Sequence, residues 1–211
     1  MGHLRLTCAI LVAALVLAPG LVSGAEPAEA GFYERLARGE TVTFEQTIDN
    51  DRRRYVGGVT YTIVDATVSD LTALLEDVHS YQQVLPRTKA ARLLGVNGAD
   101  FWVELRQGND LMETSYTIRV RQEPGDMRGR TFRFWLDTTK PHGIADAWGF
   151  FRVEPLRDGT QRTLLTYGAL VDLGPGIVRE LFEERLRKMM LSVPQRVRAY
   201  AARVFHGHSK A

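Results

Sequence analysis

The 211 residues are 45% hydrophobic and 25% charged, which is ordinary globular composition and about one domain's length. A formal net charge of +2 is too small for an electrostatic nucleic-acid binder, so no nucleic acid is expected as a partner. The one cysteine, Cys8, removes disulfide frameworks and Cys-ligated metal sites from consideration.

Residues 1–24 read as a secretory signal peptide. Arg5 supplies the positive charge, Leu6 to Ala18 is nearly all apolar, and Val22-Ser23-Gly24 offers small residues for cleavage. An uncleaved anchor is the alternative, but the apolar run is about 13 residues and a span needs ~20. Cys8 precedes most of that run and is badly placed for a lipid-modified cysteine. Cleavage would leave a periplasmic or secreted chain without cysteine. Residues 25–39 form a linker or short helix with Phe32, Tyr33 and Leu36 as a weak apolar face.

The domain expected over 40–205 opens on a strand, Thr41 to Ile48, alternating through Val42, Phe44, Gln46 and Ile48. Asn50 to Arg54 is a polar turn whose three arginines suggest either a phosphate patch or plain solvated loop. Tyr55 to Thr67 is the next strand, a hairpin partner for the first. Ser69 is the expected N-cap of a short helix carrying Leu71, Leu74, Leu75 and Val78, with His79 capping its end. A second turn, Tyr81 to Leu85, stops at Pro86, which has no N–H and drives the chain into a strand.

Strands follow at Thr88–Leu94, Phe101–Gln107, Leu111–Gln122, Thr131–Asp137, Ala145–Glu154 and Arg162–Asp172. The short turns between them make an antiparallel meander. After Gly174-Pro175-Gly176 a long helix runs to about Val204 with Val178, Phe182, Leu186, Met189, Val193, Val197 and Tyr200 on one stripe. Pro194 should kink or split it near Leu191. The tail, 206–211, carries His206 and His208 and reads as a frayed terminus. One sheet with one apolar face and one helix with one apolar stripe must bury each other, so the helix lies across a curved sheet.

The strand-turn-helix run Val64-Asp65-Ala66-Thr67 … Leu74-Leu75-Glu76-Asp77-Val78-His79-Ser80-Tyr81 … Leu85-Pro86 resembles the opening of START-like proteins. That superfamily includes Bet v 1-like and polyketide cyclase/dehydrase-like members. Gly149-Phe150-Phe151-Arg152-Val153-Glu154-Pro155-Leu156 … Asp158-Gly159-Thr160 resembles its penultimate hairpin. The strand at 41–48 is an addition to the usual pattern. The resemblance implies an α+β helix-grip fold, with a cavity between the sheet and the long C-terminal helix. It also implies a hydrophobic small-molecule ligand (lipid, sterol, quinone or polyketide-like). By analogy, Gly174-Pro175-Gly176 and Lys140–Gly143 are candidate gates.

Strand alternation then nominates the cavity-facing residues. They are Phe101, Val103 and Leu105; Met112, Thr114, Tyr116, Ile118 and Val120; Phe132, Phe134 and Leu136; Ala147, Gly149, Phe151 and Val153; and Leu165, Tyr167, Ala169 and Val171. Phe182, Leu186, Met189 and Met190 come from the helix. The chosen ligand-binding set is Phe101, Val103, Thr114, Tyr116, Ile118, Phe132, Phe134, Ala147, Phe151, Tyr167, Phe182, Leu186 and Met189. Each of these equally suits a filled core. Opposite faces hold Glu104, Arg106 and Arg133, expected as a cross-strand charge network, and Trp102, Trp135 and Trp148. The tryptophans are either covered by the N-terminal segment or a contact surface.

No Gly-x-Ser-x-Gly elbow, His-Glu-x-x-His or P-loop occurs, and no catalytic residue, metal or cofactor is expected. A carrier or binding protein is the first reading. A cyclase/dehydrase-type enzyme using Glu104, Arg106, Arg133 or His142 is the second. A filled-core protein-interaction module is the third. A transient membrane or transfer-partner contact and the oligomeric state are left open.

Overall fold

The computed structural model describes residues 29–49, 53–109, 113–124, 129–156 and 158–206. The signal-peptide segment, Met112, the Asn50–Arg52 part of the arginine turn and His208 lie outside them.

Eight strands form one antiparallel sheet: β1 (Val42–Asp49), β2 (Arg54–Val64), β3 (Thr88–Asn97), β4 (Asp100–Gly108), β5 (Glu113–Pro124), β6 (Arg130–Leu136), β7 (Asp146–Pro155) and β8 (Thr163–Asp172). Their spatial order is β1-β2-β8-β7-β6-β5-β4-β3. The helices are α1 (Glu29–Ala37), α2 (Val68–Glu76), α3 (Tyr81–Val84), α4 (Ile177–Leu191) and α5 (Val193–His206). None of the described helices is long and apolar enough to cross a membrane. The α+β helix-grip architecture read from the sequence is the one observed.

Backbones approach β2 closely on both sides. A Cβ at Gly57 would sit 1.8 Å from the Ala169 carbonyl oxygen, and one at Gly58 would sit 2.0 Å from that of Phe44. Only glycine lets β1 and β8 approach from both sides there. β1 and β2 are also where α1 packs: Phe32, Leu36 and Val42 bury against Tyr61, Ile63 and Leu164. The extra first strand thus carries its own small core on the outer face of the sheet.

The connection from β2 to the far-edge strand β3 runs through α2 and α3. The cap of α2 is Thr67, not Ser69. Its hydroxyl accepts from the Asp70 N–H, and the Asp70 carboxylate accepts from the Thr67 N–H, a reciprocal capping box. Two hydroxyls close the other end: Ser80 Oγ donates to the Leu74 carbonyl at 2.7 Å and Tyr81 OH to that of Leu75 at 3.0 Å. Asp77, rather than His79, caps the intervening turn by accepting from the His79 N–H. The run from Ser80 to Pro86 is therefore a plug. It satisfies the last carbonyls of α2 and buries Tyr81 and Val84 in the main core.

The C-terminal helix breaks at Ser192. Pro194 stands near the start of α5, where its missing N–H has no helical partner to lose. The carbonyls at the break are taken up by Ser192 Oγ, which donates to Met189, and by Thr60 Oγ1, which donates to Leu191. The two halves then do different things. α5 drives Val193, Val197 and Ala201, each at most 1% exposed, into the main core. α4 is tied down by charge: Arg54 makes two 2.9 Å bonds to Glu183, and Arg187 reaches Glu45 and Thr47 on β1.

The bond from Arg54 holds the Glu183 carboxyl below the usual carboxylate range. A carboxyl depressed on folding stabilises the protein above its unfolded pKa, about 4.3, and that stability is lost as pH falls through the folded value. Glu183→Gln should lower the urea midpoint at pH 7. It should also lose less stability than wild type between pH 7 and pH 3.5. An identical acid loss in both proteins would remove this pair from the stability of α4.

Candidate functional site

Between the concave face of the sheet and α4 lies a cavity of ≈ 440 Å³. Its walls come from β4 to β8 through Leu105, Tyr116, Ile118, Val120, Phe132, Phe134, Ala147, Phe151, Tyr167, Ala169 and Val171. The roof is Phe182, Leu186, Met189 and Met190 of α4. Leu75, Tyr81, Val84, Leu85 and Val193 close the inner end. The plug and the first turn of α5 thus form its floor. The thioethers can adapt to an irregular surface.

Eleven of the thirteen residues chosen as the ligand-binding set line this space: Thr114, Tyr116, Ile118, Phe132, Phe134, Ala147, Phe151, Tyr167, Phe182, Leu186 and Met189. Phe101 and Val103 face the same way but stand outside it, packed in the main core. Not nominated, yet lining it, are the plug residues and a polar rim of Arg87, Gln107, Asn109, Glu113 and Arg185. The plug carried a signal in the Leu-Pro exit. Arg87, Asn109 and Arg185 lie on a turn, a loop and a helix flank, where alternation says nothing; Gln107 and Glu113 stand at the ends of β4 and β5.

Inside, the polar groups are few. Tyr116 OH donates to Gln107 Oε1 at 2.5 Å, and Gln107 Nε2 donates to Thr88 Oγ1 at 2.9 Å and the Pro86 carbonyl at 3.2 Å. This chain ties the wall to the end of the plug. Tyr167 is 5% exposed and stacks near Phe134 and Phe151. Its hydroxyl has no hydrogen-bond partner among the described residues. Thr114 Oγ1 is buried and equally unpartnered. Burial pushes the phenol pKa of both Tyr116 and Tyr167 well up, for Tyr167 with the neighbouring Tyr116 adding to it. Both stay neutral near pH 7, as hydrogen-bonding groups rather than bases.

The two candidate gate turns meet at the mouth. Gly143, Ile144 and Leu173 line it. Ala145 N–H donates to the Asp172 carbonyl, and the Asp172 carboxylate accepts from the Gly174 N–H at 2.8 Å and from Arg179 at 3.2 Å. Gly174 and Gly176 have φ of +80° and +116°, so the chain turns into α4 on residues few others could replace.

The acid–base candidates do not enter the cavity. Glu104 pairs with Arg92, Arg106 with Glu113, and Arg133 with Glu123. These are separate pairs, not the one network expected among Glu104, Arg106 and Arg133, because each finds a nearer partner across its own strand pair or hairpin. His142 is exposed, its Nδ1 2.7 Å from the Ile144 carbonyl oxygen. No metal-binding group of three acidic, histidine or cysteine residues occurs among the described residues.

On the convex face, Arg119 stacks between Trp102 and Trp135 at 5.3 and 5.2 Å, and Asp100 accepts from Arg119 and Arg121. Trp148 neighbours Trp135 in the same cross-strand row. All three tryptophans are half-buried. Helix α1 does not cover them; it lies over β1 and β2.

No family model and no curated protein sequence matches the chain. Solved structures do. A STAR-related lipid transfer protein from Xanthomonas axonopodis superposes with a TM-score of 0.64 at 15% identity, over 76% of this chain and 93% of that one. Human StAR-related lipid transfer protein 5 gives 0.58 at 10% identity, over 83% and 91%. The Zhui aromatase/cyclase of Streptomyces sp. R1128 gives 0.52 at 17% identity, over 82% and 100%. At these identities the likeness establishes the fold alone: the helix-grip fold that these lipid-transfer and cyclase structures share.

Removing either phenolic oxygen tests the polar account of the cavity. Tyr167→Phe should leave stability within about 0.5 kcal/mol, since its hydroxyl has no hydrogen-bond partner among the described residues. Tyr116→Phe should cost about 1 kcal/mol by unpairing Gln107. Equal effects in urea unfolding would contradict the assignment.

Proposed function

We propose that this chain is a binding or carrier protein for a hydrophobic small molecule held between the sheet and α4. The observation that carries the reading is the cavity itself, with aromatic and aliphatic walls and few inward polar groups. Its volume lies within the range of small-molecule sites, roughly 300–1,000 Å³, and suits one ring system or one chain. Burying about 200–300 Å² of apolar ligand surface would supply roughly 5–7 kcal/mol. A hydrogen bond to Tyr167 adds about 1 kcal/mol. Apolar burial therefore sets affinity, and Tyr167 sets orientation.

The cyclase-type reading is weaker on this geometry. Its acid–base candidates sit on the convex face or in an exposed turn, and the ionisable groups lining the interior are phenols. From the apolar N-terminal run alone we also propose a periplasmic or secreted location. The intact mass of the protein from its own host tests it, since cleavage removes residues 1–24.

Ala147 is 4% exposed on the cavity wall. Ala147→Trp should fill the space and weaken uptake of the neutral dye N-phenyl-1-naphthylamine at least tenfold, with the thermal midpoint little changed. Equal dye binding by a folded Ala147→Trp protein would show that the cavity is not the site.

A further inference from the structure

We propose, on the strength of that reading, that the ligand is an amphiphile with one apolar body and one anionic head, a carboxylate or phosphate, held at the mouth by Arg87 and Arg185. The rim carries three arginine or acidic side chains: Arg87, Arg185 and Glu113. Glu113 is already neutralised, 3.4 Å from Lys89 and 3.3 Å from Arg106. Neither arginine has a carboxylate partner among the described residues.

That isolation is selective. The other described bases of α4 are all paired: Arg179 with Asp172, Arg187 with Glu45, Glu183 and Glu184, and Lys188 with Glu184. Arg185 alone is left over, and it is the one on the flank that lines the mouth. Arg87, which follows the plug, lines the same space. It is the one described non-glycine residue with positive φ, 57°, and its carbonyl is pinned by the Gly108 N–H at 3.0 Å. Ordinary residues reach that conformation at a cost, which places this side chain at the rim rather than along β3.

The remaining polarity points the same way. Tyr167 OH is a buried donor lining the cavity without an acceptor among the described residues, so the body of the ligand should carry or reach it with a hydrogen-bond acceptor. A cationic head would meet two arginines and no free acid among the described rim residues. A neutral head would leave both guanidiniums unused. Two charge-assisted bonds from exposed guanidiniums, screened by solvent, are worth about a factor of ten in affinity.

The test compares 11-(dansylamino)undecanoate with its methyl ester, by fluorescence titration at pH 7.5 and fixed 150 mM NaCl. Wild type should bind the acid about tenfold more tightly than the ester, an advantage that shrinks as salt rises. Arg87→Gln/Arg185→Gln should erase the advantage and leave the ester's Kd and the thermal midpoint unchanged, since both side chains are exposed and unpaired. Displacement by dodecanoate and by dodecyl phosphate then tells a carboxylate head from a phosphate head. Equal binding of acid and ester to wild type, or an advantage kept by the double variant, overturns the anionic head while the cavity stands. If neither probe binds, the carrier reading falls with it.

Discussion

A curved eight-stranded sheet offers more concave apolar surface than one helix can cover. Everything else in this protein follows from how the C-terminal helix is divided to meet that surplus. Below the break at Ser192, Val193, Val197 and Ala201 are pressed into the core with α2 and the sheet. Above it, α4 stands over the sheet on ion pairs from Arg54, Glu45 and Asp172. A helix held by long charged side chains at its margins need not pack flush along its apolar stripe. The cavity is the gap that results.

The same division explains the plug. The inner end of the cavity would be open if β2 ran directly into β3, but the two strands lie at distant positions in the sheet. The crossover supplies Leu75, Tyr81, Val84 and Leu85 as a floor, and the hydroxyls of Ser80 and Tyr81 make its tight turns self-sufficient in hydrogen bonds. The Gln107 side chain then links plug, wall and Tyr116 into one rigid corner. The Gly143 and Gly174 turns meet where the same space reaches the entry into α4.

Much of this was legible from period-two alternation. It placed all eight strands, and the inward faces of β4 to β8 followed from the same pattern; the split of the C-terminal helix was legible separately, from Pro194. What alternation cannot say is whether an inward residue meets a helix or a void. Phe101 and Val103 point the same way as Thr114 and Phe132, yet the first two pack into core because α5 and the plug lie above them. Thr67 was missed as a cap because Ser69, two residues on, is an equally good candidate until Asp70 is seen to answer it. Arg54 read as part of a solvated run, and its partner Glu183 lies 129 residues away. The rim arginines were missed for the same reason: a missing partner is visible only once every other base on α4 has found one.

The central claim is that the space under α4 is a ligand site rather than a packing flaw. Native mass spectrometry of the protein purified from its own host tests it most directly. A stoichiometric adduct is expected, releasable by solvent as a molecule with one apolar body, and its identification would name the ligand. A folded protein that arrives without an adduct, and takes up nothing from an extract of its host's lipids and quinones, would contradict the claim.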